Sequence, residues 1–519
     1  MNRYLYFAVF SSGMTTLALE LAASRLIGVA FGTSNLVWAS IIGLILIYLT
    51  LGYFIGGWWA DRSPHPGTMY HIMAWAAFTT GLAPLIARPV LTLAANAFDQ
   101  LQLGVLAGSF TAVLILFSVP VTLLGTISPF AIRLAIVDPE TAGKVSGRIY
   151  AISTLGSFVG TFLPVLILIP LVGTTLTFTF FSLFLLSVSL LGLWIVGKRK
   201  QVFRLLWMVI LLVFLAVFTT TRPLKTTTGQ IYEKESAYNY IQVIESEGYR
   251  LLRLNEGQGV HSVWHPEQLD YAGPWEQFLA APFFNQPQVD PRQVKSMAII
   301  GLAGGTVARQ VSEVFGPIPI DGYEIDGEII RVGQIYFDMN LDNLTAIAQD
   351  GRLGLAHSPH TYSIIGIDAY QPPYIPWHLT TQEFFQLVYQ HLDDDGVMVI
   401  NVGRSPTDRS LVDGLVGTIQ SVFPSVYVMD VPNSFNSIVY ATVQPTQIQN
   451  LYENLLYLYT QPETHPLLIT AMERFVINQQ PTPDSQIVFT DDWAPVEWMT
   501  NQMVLNYVLF GDVNVLRGP

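Results

Sequence analysis

The chain has 519 residues, of which 51% are hydrophobic, only 12% are charged and none is cysteine, and its mean hydropathy is +0.42. About a quarter of residues are charged in an ordinary soluble enzyme, so this composition excludes a wholly soluble protein. The lack of cysteine excludes disulfides, thiolate nucleophiles, iron–sulfur clusters and cysteine-ligated zinc. Charge divides the chain in two: residues 1–221 hold 11 Lys+Arg against 5 Asp+Glu, or +6, and residues 222–519 hold 14 against 33, or −19, which sum to −13. The first part reads as a membrane domain. The second is acidic and long enough to bury a core of its own.

A helix needs roughly 20 predominantly apolar residues to cross a bilayer. Seven stretches qualify, near 4–27, 35–59, 68–90, 108–135, 147–172, 174–197 and 203–220. The first is too long for a signal-peptide core and leads straight into another span, so it reads as a retained helix. The fourth contains Pro120, Gly125 and Pro129, which predicts a break or kink. Glu20 and Arg25 form an ionisable pair inside the first span; they satisfy each other or a neighbouring helix, or else they serve a function. The run Gly56-Gly57-Trp58-Trp59-Ala60-Asp61-Arg62 resembles the short loop motif of major-facilitator transporters, and a charged turn at the membrane surface would look the same. Arg3, Arg62, Arg133, Lys144, Arg148, Lys198, Arg199, Lys200 and Arg204 fall on the N-terminal side, against Arg25, Arg88, Arg222 and Lys225 on the other. That bias places the N-terminus in the cytoplasm of a multi-pass protein of the cell (inner) membrane. Seven crossings would then leave the acidic domain outside the cytoplasm.

From Ser296 onward, short apolar runs alternate with helical stretches, the pattern of a parallel sheet with crossover helices. The strand 297–300 is followed by Gly301-Leu302-Ala303-Gly304-Gly305 and a helix over 306–315. Such a turn lets backbone approach a ligand and aims helix N–H groups at it. The next strand, 320–325, carries Glu324 at its end, 20 residues after Gly304. That spacing suits a carboxylate accepting from both hydroxyls of a ribose. A strand over 344–348 leads into Asp350, where an acid could accept from an adenine amino group. The strand 362–367 ends at Asp368, and 397–402 contains Asn401. Ligands of such sheets bind at this carboxyl edge.

Residues from about 231 to 499 resemble the spermidine synthases, aminopropyltransferases built on the fold of S-adenosylmethionine-dependent methyltransferases, and above all their integral-membrane fused forms. The matching runs are Glu235-Ser236-Ala237-Tyr238-Asn239-Tyr240-Ile241-Gln242-Val243, the 301–306 turn, Tyr323-Glu324-Ile325-Asp326 and Asp368-Ala369-Tyr370. Ile375-Pro376-Trp377-His378-Leu379-Thr380-Thr381-Gln382-Glu383-Phe384-Phe385 and Thr490-Asp491-Asp492-Trp493-Ala494-Pro495-Val496-Glu497 also match. In the first span, Leu19-Glu20 to Arg25, followed by Phe31-Gly32-Thr33-Ser34, resembles the fused forms.

The resemblance implies S-adenosylmethionine or its decarboxylated form as co-substrate, with no metal. Such a donor is a cytoplasmic metabolite, which points the domain to the cytoplasm against the outward side given by seven crossings and leaves its side open. It implies that Glu324 holds the ribose, Asp350 the adenine, and Gly301, Gly304 and Gly305 the aminoacyl or aminopropyl side. It sets Asn239 where the family has a ligand-contacting glutamine, Tyr238, Tyr370 and Gln371 at the substrate, and Asp368 on the acid that deprotonates the attacking amine. The chain departs from the family pattern at three places. Gly304 stands where the turn usually has Asp, Gln371 stands for a second Asp, and Tyr271 is followed by Ala272 and Gly273 rather than His and Glu. A site for a di- or polycation needs several carboxylates, so classical putrescine aminopropylation fits poorly.

The expected architecture is therefore a multi-pass α-helical membrane domain of about seven spans (1–221), a small β-rich segment (222–290) and an α/β Rossmann-like, methyltransferase-type nucleoside-binding domain (291–519). The expected function is alkyl or aminopropyl transfer to a small-molecule amine by a homo-oligomer in the lipid bilayer. The alternative is a transporter or sensor whose synthase-like domain has lost its reaction; a plain methyltransferase shares the fold. The net charge of −19 disfavours nucleic acid. His261 with His265, and His357 with His360, lack acidic partners at metal-ligand spacing and read as surface or packing residues. Asp393-Asp394-Asp395 reads as a solvated turn at a helix end.

Overall fold

The computed structural model describes residues 2–31, 35–101, 104–220, 227–255, 259–370 and 374–510. They fall into two compact units, Met1–Thr226 with Glu233–Tyr240, and Thr227–Tyr232 with Ile241–Pro519.

The first unit is a helical bundle of α1 (Asn2–Phe31), α2 (Asn35–Arg62), α3 (Pro66–Leu101), α4 (Gly104–Gly125), α5 (Ile127–Ala135), α6 (Ala142–Leu163), α7 (Ile169–Ile195) and α8 (Arg199–Thr220). Six stretches are long and apolar enough to cross a membrane, one of them the 57-residue run Pro139–Ile195. Helices in lipid gain little from burying apolar area and rely on close backbone approach at small residues. Here, a Cβ on Gly156 would lie 2.1 Å from the Phe10 carbonyl oxygen, and one on Gly160 would lie 2.1 Å from that of Met14. Gly52 and Gly56 of α2 meet Thr122 and Thr126 in the same way.

These contacts also give direction. Phe10 and Met14 face Gly156 and Gly160 in the same order, so α1 and α6 run parallel. Tyr4 donates to the Val188 carbonyl and Met14 packs with Phe181, so α1 and α7 run antiparallel. The chain therefore reverses between α6 and α7. It does so after a π-helical turn at Pro164–Leu168, at Gly173, whose φ of 81° is left-handed and suits glycine. The 57-residue run thus holds two passes, in line with the seven stretches read from the sequence.

The break expected in the fourth span falls at Thr126, between α4 and α5. The Glu20–Arg25 pair does not form: Arg25 Nη1 donates to the Tyr238 carbonyl at 3.0 Å, within the same unit. Residues five apart point to different sides of a helix, and Arg25 lies one turn nearer its end. Asp61, in the run that closes α2, pairs with Arg133 at 3.1 Å, and Arg62 stacks over Trp58. The Gly32–Ser34 part of the resemblance lies outside the described residues.

The soluble elements begin with β1 (Gln230–Glu235), β2 (Tyr240–Ser246), β3 (Tyr249–Leu254) and β4 (Val260–Trp264), which form a four-stranded sheet in that order. A buried 3-10 run, Trp275–Phe284, leads to the main domain. There follow β5 (Met297–Ile300), α9 (Thr306–Phe315), β6 (Ile320–Glu324), α10 (Gly327–Tyr336), β7 (Leu344–Ala348), α11 (Gly351–His357), β8 (Tyr362–Ile367), α12 (Gln382–Gln390) and β9 (Leu392–Gly403). The chain closes with α13 (Ser410–Gln420), β10 (Ser425–Asp430), β11 (Asn436–Thr442), α14 (Ile448–Tyr459), α15 (Pro466–Asn478), β12 (Gln479–Gln480) and α16 (Val496–Phe510).

The sheet order is β12-β10-β11-β9-β8-β5-β6-β7. Strands β5 to β9 pair in parallel, and β10 and β11 are antiparallel additions. The central strands are buried on both faces, which explains their unbroken apolar runs. Ile299, Ile364 and Val399 enter one core, and Ile300, Ile365 and Ile400 enter the other. The chain winds outward from β5 to β7 and then returns to the far side of β5 with β8. That reversal is a topological switch point, and its crevice lies between β5 and β8.

Asp393-Asp394-Asp395 lies inside β9 rather than in a turn. The register against β8 jumps from Tyr362↔Leu392 to Ile364↔Val397, so residues 393–396 bulge out. Asp393 then accepts hydrogen bonds from the Thr361 and Ser363 hydroxyls.

Seven passes would put the two ends of the helical unit on opposite faces of a membrane. A cysteine introduced at His65 and one at Thr228, each the only thiol in its chain, will be labelled by an impermeant maleimide from opposite sides of sealed vesicles. Labelling of both from one side would mean that 139–195 crosses only once.

Candidate active site

The carboxyl ends of β5, β6, β7 and β8 carry the 301–305 turn, Glu324, Asp350 and Asp368 in that order. Gly301 has φ 89° and ends β5 so close to β8 that a Cβ would sit 2.5 Å from the Asp368 carbonyl oxygen. Ala303 (φ 49°) and Gly305 (φ 83°) continue the left-handed path. Every N–H of this turn already has a protein acceptor. Those of Gly301 and Leu302 go to the Tyr323 carbonyl, that of Ala303 to Glu324, that of Gly304 to Ser262 Oγ and that of Gly305 to the Leu302 carbonyl. The turn therefore does not offer these N–H groups to a ligand, contrary to what a glycine-rich turn suggests by itself. A pyrophosphate needs such donors, whereas a cationic ligand does not.

At Gly304, where the related turn has Asp, a Cβ would lie 2.9 Å from Ser262 Cβ and 3.2 Å from the Phe337 ring. That corner is filled from β4 and the end of α10, leaving no room for a carboxylate.

Glu324 is buried, and its two oxygens accept from the N–H groups of Ala303 (3.0 Å) and Asp326 (3.1 Å). Burial dominates these bonds and pushes its pKa up to about 7. Each oxygen keeps a lone pair for a second donor. Asp350 caps α11: one oxygen accepts from the Leu353 N–H at 2.9 Å and the other from His378 Nε2 at 2.8 Å. The bond to His378 holds its carboxyl below the usual range.

At the end of β8, burial pushes Asp368 up to about 6, and Asn401 Nδ2 donates to its Oδ1 at 2.9 Å, which opposes the shift. Tyr370 Oη donates to the Asn401 backbone carbonyl, and burial raises its pKa. The side-chain oxygen of Asn401 is buried and has no partner among the described residues. Asp368 and Asn401 are thus joined by one hydrogen bond and leave a buried amide oxygen beside a buried acid.

The structure gathers Gly301, Gly304, Gly305, Glu324, Asp350, Asp368 and Tyr370 along one sheet edge of the second unit. Tyr238 and Asn239 belong to the first unit, in a turn where both N–H groups donate to Ser236 Oγ. Gln371 lies outside the described residues. The sequence did not single out the roles of His378, of the Arg352–Asp491 pair (2.7 Å at both oxygens) or of Asn401 as partner of Asp368. His378 and Asp491 sit in motif runs already quoted, and their partners are far away along the chain.

Among the described residues, no group of three or more His, Cys, Asp or Glu could hold a metal. His261 is enclosed and its pKa is pushed down to about 4, and His265 Nδ1 accepts from two backbone N–H groups.

Residues 282–453 match the spermine/spermidine synthase domain. Over 284 residues the chain is 33% identical to a probable polyamine aminopropyl transferase of Bifidobacterium longum, covering 52% of this chain and 62% of that protein. It is 27% identical over 296 residues to a polyamine aminopropyltransferase of Vibrio vulnificus, covering 55% of this chain and 92% of that one. The crystal structure of a probable spermidine synthase from Corynebacterium glutamicum aligns with a TM-score of 0.38 at 18% identity, over 46% of this chain and 89% of that one. The sequence similarity gives the second unit a spermidine-synthase-like fold and supports a transferase-like role at family level.

Two outcomes test this geometry. Gly301→Ala will lose roughly 1–3 kcal/mol of stability or more from its left-handed φ and the contact with Asp368, read as a lowered Tm. If ribose hydroxyls donate to the ionised form of Glu324, as the resemblance implies, nucleoside binding will release a proton below pH 7. Affinity for methylthioadenosine will rise about tenfold from pH 6 to pH 8 and then level off, and Glu324→Gln will abolish that dependence. Calorimetry in buffers of different ionisation enthalpy measures both.

Proposed function

We propose that the protein is a membrane-anchored transferase of the spermidine synthase type, which moves an alkyl or aminopropyl group from S-adenosylmethionine or its decarboxylated form to an amine. The observation that carries this reading is the Asp368–Asn401 pair beside the β5–β8 switch point. Its raised acid and unpartnered amide oxygen are both acceptors, and an amine brings the N–H groups to fill them. Glu324 and Asp350 stand at the neighbouring strand ends, where the ribose and adenine would be held.

The co-substrate would supply a carbon activated by a sulfonium leaving group. An ammonium has no lone pair, so its proton has to leave before nitrogen can attack that carbon. Asp368 would take the proton from the amine. Nitrogen then forms the new C–N bond as the C–S bond breaks, and the electron pair leaves with the thioether. An acid near 6 is mostly ionised at neutral pH, yet is a stronger base than an ordinary aspartate. Asn401 would hold the carboxylate and the incoming amine in line, which is most of what a reaction with so good a leaving group requires.

The filled corner at Gly304, and Ala272 and Gly273 in place of the His and Glu of the resembled motif, favour an acceptor with a single reacting amine over a diamine bound at both ends. The same features favour the second reading, a membrane transporter or sensor that binds the nucleoside without turnover. Product mass decides between them, and between methyl and aminopropyl transfer.

Asp368→Asn will reduce turnover by about 10²–10⁴-fold while leaving methylthioadenosine binding intact. Asn401→Leu removes the bond that lowers the acid, so the acid limb of kcat/KM, expected near pH 6, will move to higher pH. Full nucleoside affinity with no alkylated product from any amine would instead establish the sensor reading.

A further inference from the structure

Asp350 is held by a ring of side chains that the family resemblance does not account for. His378 Nε2 donates to its Oδ2 at 2.8 Å. The backbone carbonyl of His378 accepts from Arg352 Nη1 at 3.0 Å, and Arg352 lies in the first turn of the helix that Asp350 caps. The Arg352 guanidinium is fixed in turn by Asp491 at 2.7 Å to each oxygen, and Thr381 Oγ1 donates to Asp491 at 2.8 Å. The Asp491 N–H donates to Glu383. The segments around 350, 378 and 491 are thus tied together, with His378 on Asp350 itself and Asp491 on the neighbouring Arg352.

We infer that His378 is a positioning residue that fixes Asp350 as a hydrogen-bond acceptor and thereby makes the site select a 6-amino purine over a 6-oxo purine. The inference rests on the nucleoside reading above. With one oxygen tied to the α11 N-terminus and the other to His378, the carboxylate plane cannot rotate, and its remaining lone pairs point in fixed directions. An exocyclic amino group can donate to them. A 6-oxo group offers only an acceptor, and two acceptors facing each other leave both unpaired, which is where specificity is strongest. Without His378 the carboxyl turns about its own bond and water can bridge it to either purine.

The test uses the full chain in detergent micelles and two probes, methylthioadenosine and methylthioinosine. His378→Leu is expected to weaken methylthioadenosine binding by about tenfold, the value of one charge-assisted hydrogen bond, and to shrink the preference over methylthioinosine by a similar factor. His378→Gln, which keeps an N–H donor at similar reach, is expected to restore most of both. In turnover the loss will fall on KM for the sulfonium donor and spare kcat. Wild-type affinity and preference in His378→Leu, when Asp350→Ala loses them, would overturn the positioning role and leave the nucleoside reading standing. Equal losses in His378→Leu and His378→Gln would also overturn it, since that marks a packing role. Wild-type binding by Asp350→Ala would remove the nucleoside reading itself.

Discussion

A parallel sheet that winds outward from one strand and then returns to that strand's other side has to part its connections there, and the β5–β8 crevice is the result. The candidate site depends on how closely its two lips approach. Gly301 leaves β5 against the backbone of Asp368, so the glycine turn and the acid at the end of β8 are fixed relative to each other by main chain rather than by side chains. Backbone contact of this kind is stiff, because interiors packed at crystal density transmit small shifts instead of absorbing them. A ligand entering the crevice meets a frame that is already assembled.

Along that frame, three carboxylates share an edge but not a charge state. Glu324 is buried with only backbone donors, Asp368 is buried with one amide donor, and Asp350 has a histidine and a helix N-terminus. Burial raises the first two, and a strong donor lowers the third. Near neutral pH Glu324 therefore carries less negative charge than an ordinary glutamate, and a neighbouring cation would favour its ionisation. A cationic ligand bound at this edge would raise its negative charge. This helps a stable domain carry buried acids, since an uncompensated buried carboxylate is costly.

Much of this was legible in the sequence, because the central strands are apolar on both faces and their ends are marked by glycine or acid. Strand β5 and helix α9 lie where the pattern put them, and β7 and β8 do as well. What the sequence hid lies in pairings across long separations. Asn401 reads as one polar residue in an apolar strand until β8 and β9 align and bring it to Asp368. His378 and Asp491 are ordinary loop residues until α11 brings Asp350 and Arg352 to them. The glycine turn misled for a different reason: composition shows that backbone can come close, but not whether its N–H groups are already used. Glu20 and Arg25 misled because proximity in sequence suggested a pair, whereas Arg25 turns to a segment more than 200 residues away.

The reversal at Gly173 reaches beyond packing. A chain that enters the bundle on one face and leaves it on the other has to be sorted by the membrane as it is made, and the resting potential acts on every charge that crosses, at about 2.3 kcal/mol per elementary charge per 100 mV. The +6 of residues 1–221 and the −19 of residues 222–519 respond to a negative interior in opposite senses. A negative interior would hold the first and repel the second. One left-handed glycine, by turning the 139–195 run back on itself, sets whether the two ends of the helical unit would feel that field from the same side or from opposite sides.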